Sequence, residues 1–258
     1  MEKPKPNGFK WQRTKTQLLE IFWFLNLALA GFWVLNIISN MRHLSAVLFC
    51  SNYNLSNIKP QKWLYVVTPS KVKATQKAEL EKLSQTLRLI KNLHWIVVED
   101  SRVPSNKVGR LLNRTNLPFT HLAKETPNKT KLPRTGYEQR NHALKWLRIK
   151  FKGQKIAGSL YFADDDNAYD KRLFENVRNV KKVGIWAVAF ANQALVETPI
   201  VENGKVTGWD VQKQKKRMFA TDIAGFALNM EIILKTKMVF GENCPSSYWV
   251  SCFLQKVT

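Results

Sequence analysis

Residues 63–100 read WLYVVTPSKVKATQKAELEKLSQTLRLIKNLHWIVVED, and the spacing of apolar residues changes twice within them. Trp63 to Thr68 is a β-branched and aromatic run that Pro69 is expected to end. Leu80, Leu83, Leu87 and Ile90 then recur at helical spacing, and His94 to Asp100 is a second β-rich run. Strand, helix and strand at these lengths predict a crossover unit with a parallel pair, the start of an α/β sheet. Such sheets hold ligands at the carboxyl ends of their strands, which is where Asp100 stands.

A second apolar run, Ser159 to Ala163, is closed by three consecutive aspartates, Asp164, Asp165 and Asp166. The chain around them is strongly basic: 258 residues with 41 Lys and Arg against 19 Asp and Glu, a formal net charge of +22. Three adjacent carboxylates repel one another, so their position after an expected core strand points to a hard divalent cation that bridges to a phosphate. A solvated acidic turn is the alternative. Between the two acidic strand ends, Ala143, Leu144 and Leu147 begin an amphipathic helix. Arg134 and Arg140 therefore flank a helix start, where cations and free N–H groups together suit a diphosphate. Arginines on a solvated face remain the other reading.

Further along, Val183 to Phe190 reads as another strand, and Asn203-Gly204 suits a tight hairpin connection. A basic run, Lys213 to Arg217, leads to Asp222 and an apolar segment from Ile223 to Leu234. No zinc spacing, heptad or RNP-like pattern supports nucleic acid as a partner, so the charge points instead to anionic sugars, nucleotides or lipid headgroups.

The amino-terminal part has a different character. Ile21 to Asn40 carries no charged residue, about the length a helix needs to cross a hydrocarbon layer. The sequence divides into a cytosolic tail (1–17), a transmembrane signal anchor (18–40), a stem (41–62) and a luminal domain (63–258). A cleaved signal peptide is the competing reading, and the lack of a small-residue cleavage site favours the anchor. Lys3, Lys5, Lys10, Arg13 and Lys15 precede the span while Arg42 alone follows it closely, which places the amino terminus in the cytosol. Three glycosylation acceptors, Asn54, Asn113 and Asn128, then share the luminal side. Cys50, Cys244 and Cys252 are too few for a disulfide-built scaffold and leave an odd thiol. Cys50 could link a homodimer, or a cysteine could stay unpaired and buried.

Several ordered motifs tie these features together: Leu64-Tyr-Val-Val-Thr-Pro, Gln76-Lys-Ala-Glu-Leu, Leu93-His-Trp-Ile-Val-Val-Glu-Asp, Glu138-Gln-Arg-Asn-His-Ala-Leu, Tyr161-Phe-Ala-Asp-Asp-Asp-Asn and Asp222-Ile-Ala-Gly-Phe-Ala. From about residue 63 onward the chain resembles the animal β-1,3-glucuronosyltransferases, glycosyltransferase family 43. The resemblance implies a GT-A fold, UDP-glucuronic acid as donor, Mn²⁺ as cofactor and a galactose-terminated glycan as acceptor, on the luminal face of the Golgi membrane in a single-pass type II protein. It further implies that Pro69, Asp100, Arg134, Arg140, Asp164 and Asp165 bind the donor, with Asp100 at the uracil and Asp166 as the metal ligand. Glu197, Arg217 and Asp222 match residues that contact donor or acceptor sugar.

The chain also departs from the family pattern. The family's general-base glutamate aligns with Val250, and valine cannot accept a proton. Glu242, upstream, could substitute only in a rearranged loop. The family's Trp-His-Thr-Arg-Thr-Glu-Lys motif has no counterpart before Thr258, so a wall of the donor pocket is expected to be missing. Lys71 stands where a tyrosine commonly lies against the uracil. Three functional readings follow: an inverting, Mn²⁺-dependent glucuronosyltransferase acting on the proteoglycan linkage region; a catalytically weak relative that binds UDP, sugar or a partner; and a membrane-tethered protein that holds anionic glycans through Lys213 to Arg217.

Overall fold

The computed structural model describes residues 62–127, 136–189, 195–212, 217–241, 244–245 and 248–257. The expected span and stem, Cys50, Asn54, Asn128, Arg134, Lys213 to Lys216 and Glu242 lie outside the described residues. Among the described residues no helix is long and apolar enough to cross a membrane.

The first crossover unit forms as the sequence predicts. Strand β1 (Trp63–Ser70), helix α1 (Gln76–Leu87) and strand β2 (Leu93–Glu99) follow one another, and β1 pairs with β2 in parallel from Leu64↔Leu93 to Ser70↔Glu99. Helix α2 (Asn106–Arg114) leads to β3 (Phe119–Ala123), which pairs in parallel with β2. Helix α3 (Tyr137–Lys150) then carries the chain to β4 (Gly158–Phe162), which lies in parallel against the opposite side of β1.

Pro69 does not end β1 as expected. Ser70 turns its carbonyl toward β2, where it accepts from the Asp100 N–H at 2.8 Å, and Val67 turns its carbonyl toward Ala163. Pro69 therefore faces the β4 side just beyond the last paired residues, Val67↔Phe162, where no N–H is needed.

After α4 (Lys171–Val177) the expected long strand at Val183 divides into β5 (Val183–Ile185) and β6 (Val188–Ala189). The Trp186 N–H donates to the Gly225 carbonyl at 2.8 Å, and the chain leaves the main sheet there. Strand β6 pairs instead with β7 (Val196–Glu202), which forms a hairpin with β8 (Lys205–Asp210). The hairpin turns through Asn203 and Gly204 with φ of 50° and 74°, the two positive values that a type I′ connection requires. A 3₁₀ turn (Ile223–Gly225) introduces β9 (Phe226–Asn229), followed by α5 (Met230–Lys235) and α6 (Trp249–Gln255).

The main sheet has the order β3-β2-β1-β4-β9-β5, antiparallel only at β9, and the second sheet has the order β6-β7-β8. Both faces of the main sheet are covered, which is why its strands read as continuous apolar runs. Tyr65, Val67, Leu160 and Phe162 pack with residues of α3, α5 and α6 on one face. Leu64, Val66, Trp95 and Tyr161 pack with α1, α2 and α4 on the other. Cys244 and Cys252 form a disulfide that ties α6 to the preceding loop, a pairing the sequence left open.

Candidate functional site

The strand order places one site by topology. From β1 the chain builds outward through β2 to β3, then returns to the other side of β1 as β4. The connections after β1 and β4 therefore diverge and leave a crevice at the carboxyl ends of these strands. A cleft of about 310 Å³ opens there, lined by Pro69, Ser70, Lys71 and Lys73 after β1, Asp100 after β2, Gly136 and Gln139 at the start of α3, and Asp164, Asp165 and Asp166 after β4. Asp100, Pro69 and the aspartate triplet are thus brought together in one cleft.

Asp100 is fixed by the loop after β3. Its two carboxylate oxygens accept from the Thr126 N–H at 2.7 Å and the Thr126 hydroxyl at 2.9 Å. Gln139 in turn donates to Thr126 Oγ1 at 3.0 Å and to the Lys124 carbonyl at 2.7 Å. Helix α3 approaches β1 closely because Gly136 has no side chain: a Cβ there would lie 2.7 Å from Pro69 Cβ, and its φ of 86° independently favours glycine. The amino-terminal N–H groups of α3 begin at this glycine, on the wall of the cleft.

Arg140, in the first turn of α3, is 2% exposed and is no solvated cation. It forms an ion pair with Asp164 and stacks its guanidinium 5.4 Å from the Tyr137 ring centroid. Burial pushes the Asp164 carboxyl above its ordinary value, and Asp222 and Asp166 push the same way, against Arg140. Tyr169 holds the Asp164 backbone, accepting from its N–H at 2.7 Å.

The other two aspartates have separate environments. Asp165 is buried and accepts from the Ser70 hydroxyl at 2.8 Å and from Lys73 Nζ at 3.2 Å. Burial raises its pKa, and these two bonds oppose the rise. Burial would lower the pKa of Lys73, but its pairs with Glu79 and Asp165 outweigh that and leave it raised. Asp166 is exposed, and its backbone carbonyl accepts from Lys82 Nζ at 2.9 Å. Among the described residues its carboxylate has no hydrogen bond or ion pair.

One cation holding all three carboxylates does not describe this arrangement. Arg140 engages Asp164, and Ser70 with Lys73 engages Asp165, which leaves Asp166. Among the described residues no three His, Cys, Asp or Glu side chains converge as a closed metal cage. A lone carboxylate at the edge of a cleft does fit a divalent ion that takes its remaining ligands from a phosphorylated substrate and water. The donor set therefore fits a substrate-bridging ion at Asp166.

Glu197 and Asp222 lie apart from this cleft, on a narrow crevice that Trp186 and Trp209 also line. Glu197, in β7, is buried and accepts from the Gln212 N–H at 3.4 Å. Asp222 caps the 3₁₀ turn by accepting from the Ala224 N–H at 2.9 Å. The two sets meet electrostatically at Tyr137. Burial raises the pKa of its hydroxyl, Asp222 and Asp164 add to the rise, and Arg140 and Arg217 oppose it. Val250 faces neither opening: it is 6% exposed within the apolar cluster that holds Phe162 and Phe253.

Asn113 is exposed near the end of α2, while Thr115 of its acceptor pattern is buried and donates to the Leu112 carbonyl at 2.7 Å. Sequence reasoning singled out neither Tyr137, Ser70, Lys73 nor Gln139 as a site residue. Gln139 and Gln76 stood within quoted motifs, and an uncharged polar side chain in register with the apolar stripe of each helix, four residues before Ala143 and Leu80, was the available signal.

A glycosyltransferase family 43 sequence model matches residues 83–258. Galactosylgalactosylxylosylprotein 3-beta-glucuronosyltransferase 2 of Canis lupus familiaris is 45% identical over 186 residues, covering 70% of this chain and 56% of that protein. The Homo sapiens protein of the same name is 45% identical over 182 residues, covering 69% of this chain and 56% of its own length. Galactosylgalactosylxylosylprotein 3-beta-glucuronosyltransferase sqv-8 of Caenorhabditis elegans is 39% identical over 206 residues, covering 76% and 57%. The chain thus spans a little over half the length of these relatives. Among solved structures, S. aureus TarS 1-349 superposes with a TM-score of 0.48 at 16% identity, covering 76% of this chain and 55% of that one.

Proposed function

The chain belongs to glycosyltransferase family 43, and from that premise we propose that it transfers glucuronic acid from UDP-glucuronic acid to the 3-hydroxyl of a terminal galactose on a glycan. In this reading the domain has the GT-A fold, uses Mn²⁺, inverts the sugar carbon and acts on the proteoglycan linkage region. It works in the Golgi lumen from a type II membrane anchor, which the Cys244–Cys252 disulfide supports, since such bonds persist in oxidising compartments. The observation that carries the proposal is the cleft between β1 and β4, with Asp100 at one side, the pair of buried Arg140 with half-buried Asp164 at another and the uncommitted Asp166 at its edge.

The residues have separable roles. Asp100, held by Thr126, would accept from the uracil N–H. Arg140 and the amino-terminal N–H groups of α3 would offer positive charge where the diphosphate develops negative charge as its bond to the sugar breaks. Asp164 and Asp165 would accept from donor hydroxyls while their protein partners keep them oriented. Asp166 would hold Mn²⁺, which when bound neutralises charge on the departing diphosphate. Glu197, Arg217 and Asp222 would contact the sugars beyond the donor.

One observation favours a second reading, a relative that binds UDP without efficient transfer. Val250 is buried among apolar side chains, and neither its chemistry nor its surroundings can take a proton from an acceptor hydroxyl.

The test is Mn²⁺-dependent transfer from UDP-glucuronic acid to a galactose-β-1,3-galactose acceptor by the full chain, alongside calorimetry of UDP binding. Transfer supports the enzyme; UDP binding without transfer supports the second reading. Binding of neither nucleotide nor donor would end both. Asp166→Ala should abolish the Mn²⁺-dependent part of UDP binding, and unchanged binding would remove the metal assignment.

A further inference from the structure

Behind the cleft runs a buried series of polar side chains. It begins at Glu99, the last residue of β2, which is 1% exposed. Four groups surround its carboxylate: the Ser105 N–H at 2.6 Å, the Ser105 hydroxyl at 2.8 Å, His121 Nε2 at 2.9 Å and the Gln76 amide nitrogen at 3.4 Å. An ionised carboxylate only accepts, so Gln76 must turn its NH₂ group toward it. The same nitrogen lies 3.3 Å from Ser70 Oγ. Ser70 thus accepts from Gln76, and its single proton is left for Asp165 Oδ2 at 2.8 Å. Bond directions are dictated in sequence from Glu99 through Gln76 and Ser70 to Asp165.

Ser70 and Asp165 line the cleft, whereas the buried Gln76 and Glu99 do not. Some of these bonds serve the fold alone, since Ser105 caps α2 by accepting from the Val108 N–H at 3.3 Å and Glu99 braces that cap. The link from Gln76 to Ser70 contributes nothing to the cap and leads only toward the cleft.

We propose that Gln76 and Glu99 are positioning residues for the nucleotide: they orient the Ser70 hydroxyl, which holds the Asp165 carboxylate at the cleft wall. The inference rests on the reading of this cleft as the UDP site. It requires that Gln76 act through one hydroxyl, so its effect must vanish when that hydroxyl is absent.

A double-mutant cycle on the full chain, read by calorimetry with UDP and Mn²⁺, decides it. Gln76→Met and Ser70→Ala are each expected to weaken UDP binding about 10-fold, the usual scale for partners behind a binding group. The double variant should bind within about 2-fold of Ser70→Ala alone. Ser70→Thr, which keeps the hydroxyl, should recover most of the affinity. If Gln76→Met does not fold, the isosteric Glu99→Gln takes its place in the cycle with the same expectation. Losses that multiply to about 100-fold, or an unaffected single variant, overturn the positioning role while leaving the UDP site intact. A wild-type chain that binds no UDP with Mn²⁺ removes the UDP site, and the inference with it.

Discussion

The parallel half of the main sheet and the β9–β5 edge with its neighbouring hairpin organise acidic side chains in opposite ways. At the ends of β1, β2 and β4, nearly every carboxylate is engaged before any ligand arrives: Asp100 by Thr126, Asp164 by Arg140, Asp165 by Ser70 and Lys73, and Glu99 by four groups. In the other half, Asp222 and Glu197 accept from backbone N–H groups where the chain changes direction. Apolar side chains also stand exposed along that hairpin, including Ile200, Val201 and Val206. Parallel strands end together at one edge, so their terminal residues meet; antiparallel strands end at alternate edges, and their polar residues depend on local turns. The parallel half therefore orients its carboxylates by side-chain partners before any ligand arrives, which suits the donor site proposed above, and the other half holds its carboxylates by local backbone turns.

The largest expected effect tests the preformed half. Arg140→Ala would leave Asp164 among neighbouring carboxylates without its paired cation, and should lower stability by about 3–5 kcal/mol in urea denaturation, with loss of UDP binding. A much smaller loss would mean that the cleft is not held together by its own charges.

Next is Val250→Glu, the substitution that would supply the carboxylate expected here from the sequence resemblance. Because Val250 packs against the core, the new carboxyl should cost at least about 3 kcal/mol at neutral pH and should raise no transfer. Its pKa would lie above the usual range, so stability relative to wild type should recover on acidification. A stable variant with faster transfer would show that α6 rearranges toward the cleft.

A third change separates the halves directly. Glu197→Gln should leave UDP affinity within about 2-fold while weakening a galactose-terminated acceptor about 10-fold in a binding titration, the scale of a hydrogen bond to a charged group. Equal losses for both ligands would break the comparison.

The smallest effect lies at the outer side of the parallel half. Burial, with Lys150, lowers the pKa of His94, whose Nε2 lies 2.9 Å from Thr120 Oγ1. The unfolded chain then takes up this proton first, so the contribution is intact above about pH 6.5 and is lost as pH falls through the depressed folded value. His94→Gln should flatten the decline of stability between neutral and mildly acidic pH, and an unchanged slope in denaturation series would exclude it. His142, lowered in the same direction by burial, Lys124 and Lys145, adds to that slope.

Much of the fold was legible in the sequence because its signals are local. The β-branched runs, the leucines of α1 and the Asn203-Gly204 turn each declare their conformation within a few residues. So did the position of Asp100 and the aspartate triplet after strands, which placed them at one edge once the sheet was parallel. The split of the expected strand after Ile185 was not legible, because it depends on the Gly225 carbonyl, which captures Trp186.

What the sequence determined alone is the first strand–helix–strand unit, the Asn203-Gly204 turn and the presence of acidic groups after strands. Which of those groups is committed was decided only in three dimensions. Ser70 reaches Asp165 across 95 residues, Lys73 across 92 and Arg140 reaches Asp164 across 24. Three identical neighbours in the chain therefore receive three different environments: one paired with an arginine, one buried under a hydroxyl and an ammonium, and one open at the cleft's edge. Local propensity cannot distinguish them, since a carboxylate's state depends on the charge, donors and water around it, and those are supplied by the packing of distant segments.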